Sequence, residues 1–136
     1  MLRLFLIALL SLSLHAQSFV VAANEKFPLD RLSKRMVASL YLDKRQVIGG
    51  ERVVLINLSL NDPIRRSFEK SVLGRSRADL QKYWLRAHFM GHRPPKVVDS
   101  EYAAALYISK IENAIGYMRE ETAKSFGLKI LFRWGR

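Results

Sequence analysis

The chain has 136 residues, no cysteine, and 23 Lys and Arg against 12 Asp and Glu, for a formal net charge of +11. One domain is expected at this length, and the missing cysteines exclude disulfides, thiol catalysis and lipid attachment through an N-terminal Cys. Stability therefore has to come from packing, and the excess of positive charge points to anionic partners such as small anions, acidic envelope polymers or lipid headgroups.

Residues 1–16 read as a secretory signal. Arg3 is the lone charge of a short basic tip, Leu4 to Leu14 is an apolar run broken only by serines, and Leu14-His15-Ala16 places a small residue before Gln17. The run is too short for a membrane span, which needs about 20 apolar residues. Cleavage is expected after Ala16, leaving 17–136 as one domain with no transmembrane segment, in the periplasm or secreted. Removing the leader takes only Arg3 from the charged residues, so the remainder keeps 22 basic and 12 acidic residues, a net +10. Nucleic acid is the usual partner of a basic protein, but export argues against it here.

After the leader, Ser18 to Ala23 is a β-branched-rich run and predicts a buried strand ended by Asn24 and Pro28. Ser33 predicts a helix N-cap, with Met36, Val37, Leu40 and Tyr41 at one-face helical spacing. Gly49-Gly50 is a turn signal, and Arg52 to Leu58 predicts a second buried strand. Asp62-Pro63 then opens a helix, since Asp caps and Pro fits a first position whose N–H has no helical partner. Phe68, Val72 and Leu73 give its apolar face and Gly74 its end.

Ser76 opens the next helix, with Asp79 as a weak capping-box partner. Leu80, Tyr83, Trp84 and Ala87 share one side of it, Arg75, Lys82 and Arg86 another, and Leu85 and Phe89 a third. A helix apolar on two flanks is either well buried or offers one flank to a partner. Gly91 and Pro94-Pro95 predict a loop, and Ser100 caps a helix carrying Ala104, Tyr107, Ile108 and Ile111. Ala114 to Met118 predicts a strand, Arg119 to Ser125 a short helix or turn, and Leu128 to Trp134 a final strand. This order predicts an α/β layered domain. Its expected core comprises Val20, Val21, Val37, Leu40, Val54, Leu55, Phe68, Leu80, Trp84, Ile111 and Ile115.

The opening VVAANEKFPLDRLS, the segment RMVASLYLDKRQVIGGERVVLINL, and then DPIRRSFEKSVLGRS, YWLRAHFMGHRPP and AIGYM occur in this order and spacing from Phe19 to about Phe132. Together they resemble the phosphate-binding proteins of ABC transporters, within the type 2 periplasmic-binding-protein fold. The resemblance implies a truncated, single-lobe member with a mixed sheet flanked by helices. Those receptors have two lobes and hold phosphate with a Ser-Gly-Thr signature at a helix N-terminus. The matching stretch here is Asp62-Pro63-Ile64, where a carboxylate repels an anion and proline has no N–H to give.

The basic set Arg65, Arg66, Arg75, Arg77, Lys82, Arg86 and Arg93 is the main chemical feature. Convergent arginines suit bidentate capture of phosphate or carboxylate, although such residues also form ordinary solvated surface. Arg65, Arg66, Arg75 and Arg86 are the candidate ligand-binding residues, with a phosphate-like anion as the implied ligand. The alternative is a non-catalytic interaction protein docking on an envelope sensor or transporter component. His88 and His92 have zinc-like i, i+4 spacing, but Gly91 is expected to end the helix and no third ligand accompanies them, so they read as surface residues. Ser67 to Lys70 matches a Ser-x-x-Lys phrase without its companion motifs. No phosphate-cradling glycine loop or nucleophile elbow is present, so no enzyme activity, catalytic residue, metal or cofactor is expected.

Overall fold

The computed structural model describes residues 17–135. The leader read at 1–16 lies outside the described residues. The opening strand is β1 (Phe19–Ala23), buried from Val20 onward. Helix α1 (Lys34–Tyr41) starts where the Ser33 hydroxyl accepts the Met36 N–H at 3.1 Å. A small hairpin, β2 (Val47–Ile48) and β3 (Glu51–Arg52), turns at Gly49 and Gly50. Their φ angles of 61° and 81° are those a two-residue hairpin turn demands, so glycine is needed at both positions.

Strand β4 (Val54–Leu58) is shorter than the expected run, because Arg52 pairs in the hairpin instead. Helix α2 (Pro63–Phe68) continues as a π-helical turn over Glu69–Leu73 and stops at Gly74, whose φ is 63°. Helix α3 (Arg77–Phe89) is capped by Ser76. Strand β5 (Lys96–Val98) forms inside the segment read as loop; Pro94 and Pro95 precede it, and it pairs with β4. Helix α4 (Glu101–Lys110), strand β6 (Ala114–Arg119), helix α5 (Glu120–Ser125) and strand β7 (Lys129–Trp134) complete the chain.

The main sheet runs β5-β4-β6-β1-β7. Strand β4 is parallel to both β5 and β6, whereas β1 is antiparallel to β6 and β7. The sheet is therefore mixed, with helices on both faces, as expected. Strand β6 is buried from Ala114 to Met118 because its alternating residues meet helices on both sides. On one face Gly116 leaves room for Ile108 of α4: a Cβ at this glycine would lie 2.6 Å from the isoleucine Cδ1. On the other face the Tyr117 ring stacks on Phe68 at 4.0 Å, and Tyr41 and Trp134 meet Phe68 edge-on.

Most of the expected core is found there. Val20, Val21, Val37, Leu40, Phe68 and Ile115 are buried in it, Leu80 is buried outside it against the groove, and Val54, Leu55 and Ile111 pack partly exposed at its margin. Trp84 is the correction: it is half-buried and belongs to the wall of a groove. Helix α3 turns only Leu80 and Ala87 fully inward, so its second apolar flank stays uncovered. The buried tryptophan of the core is Trp134, whose indole N–H donates to Ser67 Oγ at 3.0 Å.

Candidate functional site

The loop leaving the carboxyl end of β4 and the start of α2 build the site. Asp62 caps α2 with its own carboxylate, Oδ1 accepting the Ile64 N–H at 2.8 Å, and Pro63 follows at the first turn. The N-terminus of α2 is thus closed by a negative group and lacks one donor. In the same turn Arg65 donates from Nε to Glu69 Oε2 at 3.3 Å and from Nη1 to the Leu58 carbonyl at 2.9 Å.

The π-helical turn and the bend at Gly74 return the chain so that Arg77 reaches the same carboxylate, with Nε donating to Glu69 Oε1 at 3.1 Å. Arg77 also donates to the Leu60 carbonyl. Glu69 is 6% exposed and so needs this pairing, because an isolated buried carboxylate would be costly. Two guanidiniums around one carboxylate leave this cluster with a net charge of +1. Beneath it the Tyr117 hydroxyl donates to Asn57 Oδ1 and accepts the Leu58 N–H. Burial above all raises the Tyr117 pKa, with the Leu58 N–H and Arg65 opposing it, so the phenol stays protonated.

Asn57, Arg65, Glu69 and Arg77 form one end of a groove of about 470 Å³ between α2, α3 and β5. Leu73, Leu80, Trp84, Leu85, Pro95 and Val97 supply most of its apolar wall. Leu85 at 62% exposure, Val97 at 53% and Leu60 at 50% leave it open along its length.

The candidate arginines divide. Arg65 lines the groove, tied to Glu69. Arg66 and Arg75 meet in an adjoining depression of about 450 Å³ with Lys70 and Ser76, which shares Glu69 and Arg77 with the groove, and the Arg75 guanidinium lies 4.9 Å from the centre of the Tyr83 ring. Arg86 is exposed and lines neither. The fold therefore brings together Arg66 with Arg75, and Arg65 with Arg77, but not all four candidates.

His92 Nδ1 sits 2.8 Å from Asp43 Oδ2, and His88 is exposed beside Phe89. Glu69 as the hub of the cluster was missed in sequence. The i, i+4 spacing of Arg65 and Glu69 was its visible half; the eight-residue return to Arg77 depends on the π-helical turn, which has no sequence signature.

No family model matches the sequence, and neither does any curated protein sequence. Solved structures do match in fold. An ABC-type phosphate transport receptor from Vibrio cholerae aligns with a TM-score of 0.66 at 16% identity, over 85% of this chain and 46% of its own. A putative phosphate ABC transporter substrate-binding protein with bound phosphate, from Clostridium perfringens, gives 0.70 at 13% identity, over 85% and 44%. PstS from Borrelia burgdorferi gives 0.66 at 17% identity, over 85% and 47%. The chain spans less than half the length of these proteins, and its fold is that of one lobe of a type 2 periplasmic-binding protein.

Proposed function

We propose that this chain is a non-enzymatic, exported binding module that keeps the architecture of a phosphate receptor lobe without its anion trap. The observation that carries this reading is the entrance to α2. The fold's relatives include receptors of phosphate, yet here the helix N-terminus is occupied by the Asp62 carboxylate and lacks an N–H at Pro63. Arg65, in the first turn of this helix, is already engaged by Glu69 and the Leu58 carbonyl.

Each charge-assisted hydrogen bond lost from such a site is worth about 1.5–3 kcal/mol, so two losses would turn a micromolar site into a millimolar one. Phosphate should bind weakly and in a salt-sensitive way, through the field of Arg65, Arg66, Arg75 and Arg86. Titration calorimetry at about 0.15 M salt tests this, since exposed charges are then largely screened. A one-to-one isotherm at micromolar affinity would restore the tight-receptor reading. Export is tested by intact-mass analysis of the secreted or periplasmic protein: it should begin at Gln17, and retention of Met1 refutes the proposed leader.

A second reading, docking on an envelope sensor or transporter component, is favoured by the exposed apolar residues that continue from the groove along α3. Phe89 is 82% exposed and Met90 76%. Co-purification of a defined envelope protein, lost in Phe89→Ser, would select this reading.

A further inference from the structure

We infer that the groove between α2, α3 and β5 is a binding site for a small amphipathic carboxylate, whose head meets the Arg65–Glu69–Arg77 cluster and whose apolar body lies along Leu60, Trp84, Leu85 and Val97. The inference rests on the reading of the chain as a binding module and names the class of ligand.

The groove's size comes first. At about 470 Å³ it falls within the roughly 300–1,000 Å³ usual for small-ligand sites, and its mostly apolar lining with a few convergent polar groups is the usual composition of such sites. Its position agrees. Asn57 and Leu60 place one end at the carboxyl end of parallel strand β4, where open α/β sheets bind ligands.

The head group follows from the arginines. Arg65 commits Nε and Nη1, and Arg77 commits Nε and Nη2, so Nη2 of Arg65 and Nη1 of Arg77 make no hydrogen bond among the described residues. Both residues line the groove. Glu69 neutralises one of the two charges and fixes both planes, which leaves a net positive, hydrogen-bonding end suited to one negative charge. A phosphate dianion is a poor match for the groove, because its mainly apolar wall cannot replace the ion's hydration. A second copy of this chain is also a poor occupant, since its own strongly basic surface would face the same arginines.

Calorimetric titration with decanoate, with nonyltrimethylammonium as the probe of equal nine-carbon tail and opposite charge, tests the inference. Decanoate should bind one-to-one, and the cationic probe about ten-fold more weakly or worse. Octanoate, two methylenes shorter, should also bind about ten-fold more weakly, at ~0.8 kcal/mol per buried methylene. Leu85→Glu alters an exposed wall residue, so the fold should be retained while decanoate affinity falls at least about ten-fold.

Equal binding of the two probes, several equivalents bound per chain, or an isotherm unchanged by Leu85→Glu would overturn the assignment. So would concentration-dependent dimerisation in sedimentation that Leu85→Glu abolishes, because the occupant would then be another copy. The phosphate titration addresses the lost anion trap and the amphiphile pair addresses the groove, so either reading can fail without the other.

Discussion

Two buried glutamates, on opposite faces of the same sheet, show how differently the two sides of this molecule are finished. Glu101 opens α4 and is 5% exposed. Its Oε1 accepts the Arg119 Nε–H at 3.0 Å and the Thr122 hydroxyl at 2.9 Å, and its Oε2 accepts the Arg119 N–H at 3.1 Å. That hydrogen bond to Glu101, before any other influence, raises the Arg119 pKa further above its already high value. The arrangement ties α4, β6 and α5 together, and none of its residues lines the groove. Glu69 is buried to the same degree but holds arginines from two successive helices, at the end of an open apolar groove. A buried ion pair alone does not identify a site. What separates the two is whether an apolar cavity lies in front of the arginines, as it does at Arg65 and Arg77.

Large effects should fall on side chains that are fully buried, including Phe68 at the floor of the groove, and small ones on the groove's exposed wall. Phe68 touches Tyr117, Tyr41 and Trp134 and is 1% exposed. Phe68→Ala should cost about 3–5 kcal/mol, read as a lowered urea midpoint at unchanged slope. Glu101→Ala should cost about 2 kcal/mol, because the buried Thr122 hydroxyl and Arg119 N–H lose their acceptor. Arg119 is 40% exposed and can turn to water, which keeps the loss below that of an ion pair buried on both sides.

Trp84→Ala should cost only about 1 kcal/mol, since burying a whole large side chain is worth about 1.5–3 kcal/mol and this one is half-buried. A Trp84 loss as large as that of Phe68 would mean that the groove is closed in solution. The contrast between the two sides would then disappear.

The difference between the two aromatics also marks where sequence reading reached its limit. Phe68 sits in a segment with one apolar stripe, so its direction followed from helical spacing. Helix α3 has two such stripes, and periodicity cannot say which one meets the rest of the protein. Tyr83, with its hydroxyl donating to the Leu42 carbonyl, and Leu80 and Ala87 fix the answer through contacts distant in sequence.

Strand β5 was missed for a related reason. Three residues after two prolines have little local signal, and they become a strand only because β4 offers an unpaired edge. The capping at Ser33, Asp62, Ser76 and Ser100 was legible because it depends on neighbours two or three residues away. Of the site, the closed entrance at Asp62 and Pro63 could be read directly. The pairing of Arg65 with Arg77 through Glu69 could not.

The smallest effect is expected at Glu120, where α5 is strapped to β7 on the closed side. Its Oε1 accepts the Arg133 Nε–H at 2.6 Å, and this hydrogen bond is the main reason its pKa lies below the ordinary glutamate value. The folded state therefore holds the carboxylate ionised more readily than the unfolded chain does. Its contribution is complete above the unfolded value of about 4.3 and is lost as pH falls through the lower folded value. Because Arg133 is 59% exposed, solvent screening limits the pair to a few tenths of a kcal/mol. Glu120→Gln should lower the melting temperature slightly at pH 7, with the difference from the parent shrinking on acidification below about pH 4. A loss at pH 7 matching that of Glu101→Ala would mean that the number of ion pairs, rather than their burial, secures the closed side. A difference that grew on acidification would reverse the sign of the linkage and place the stabilising contact on the protonated form.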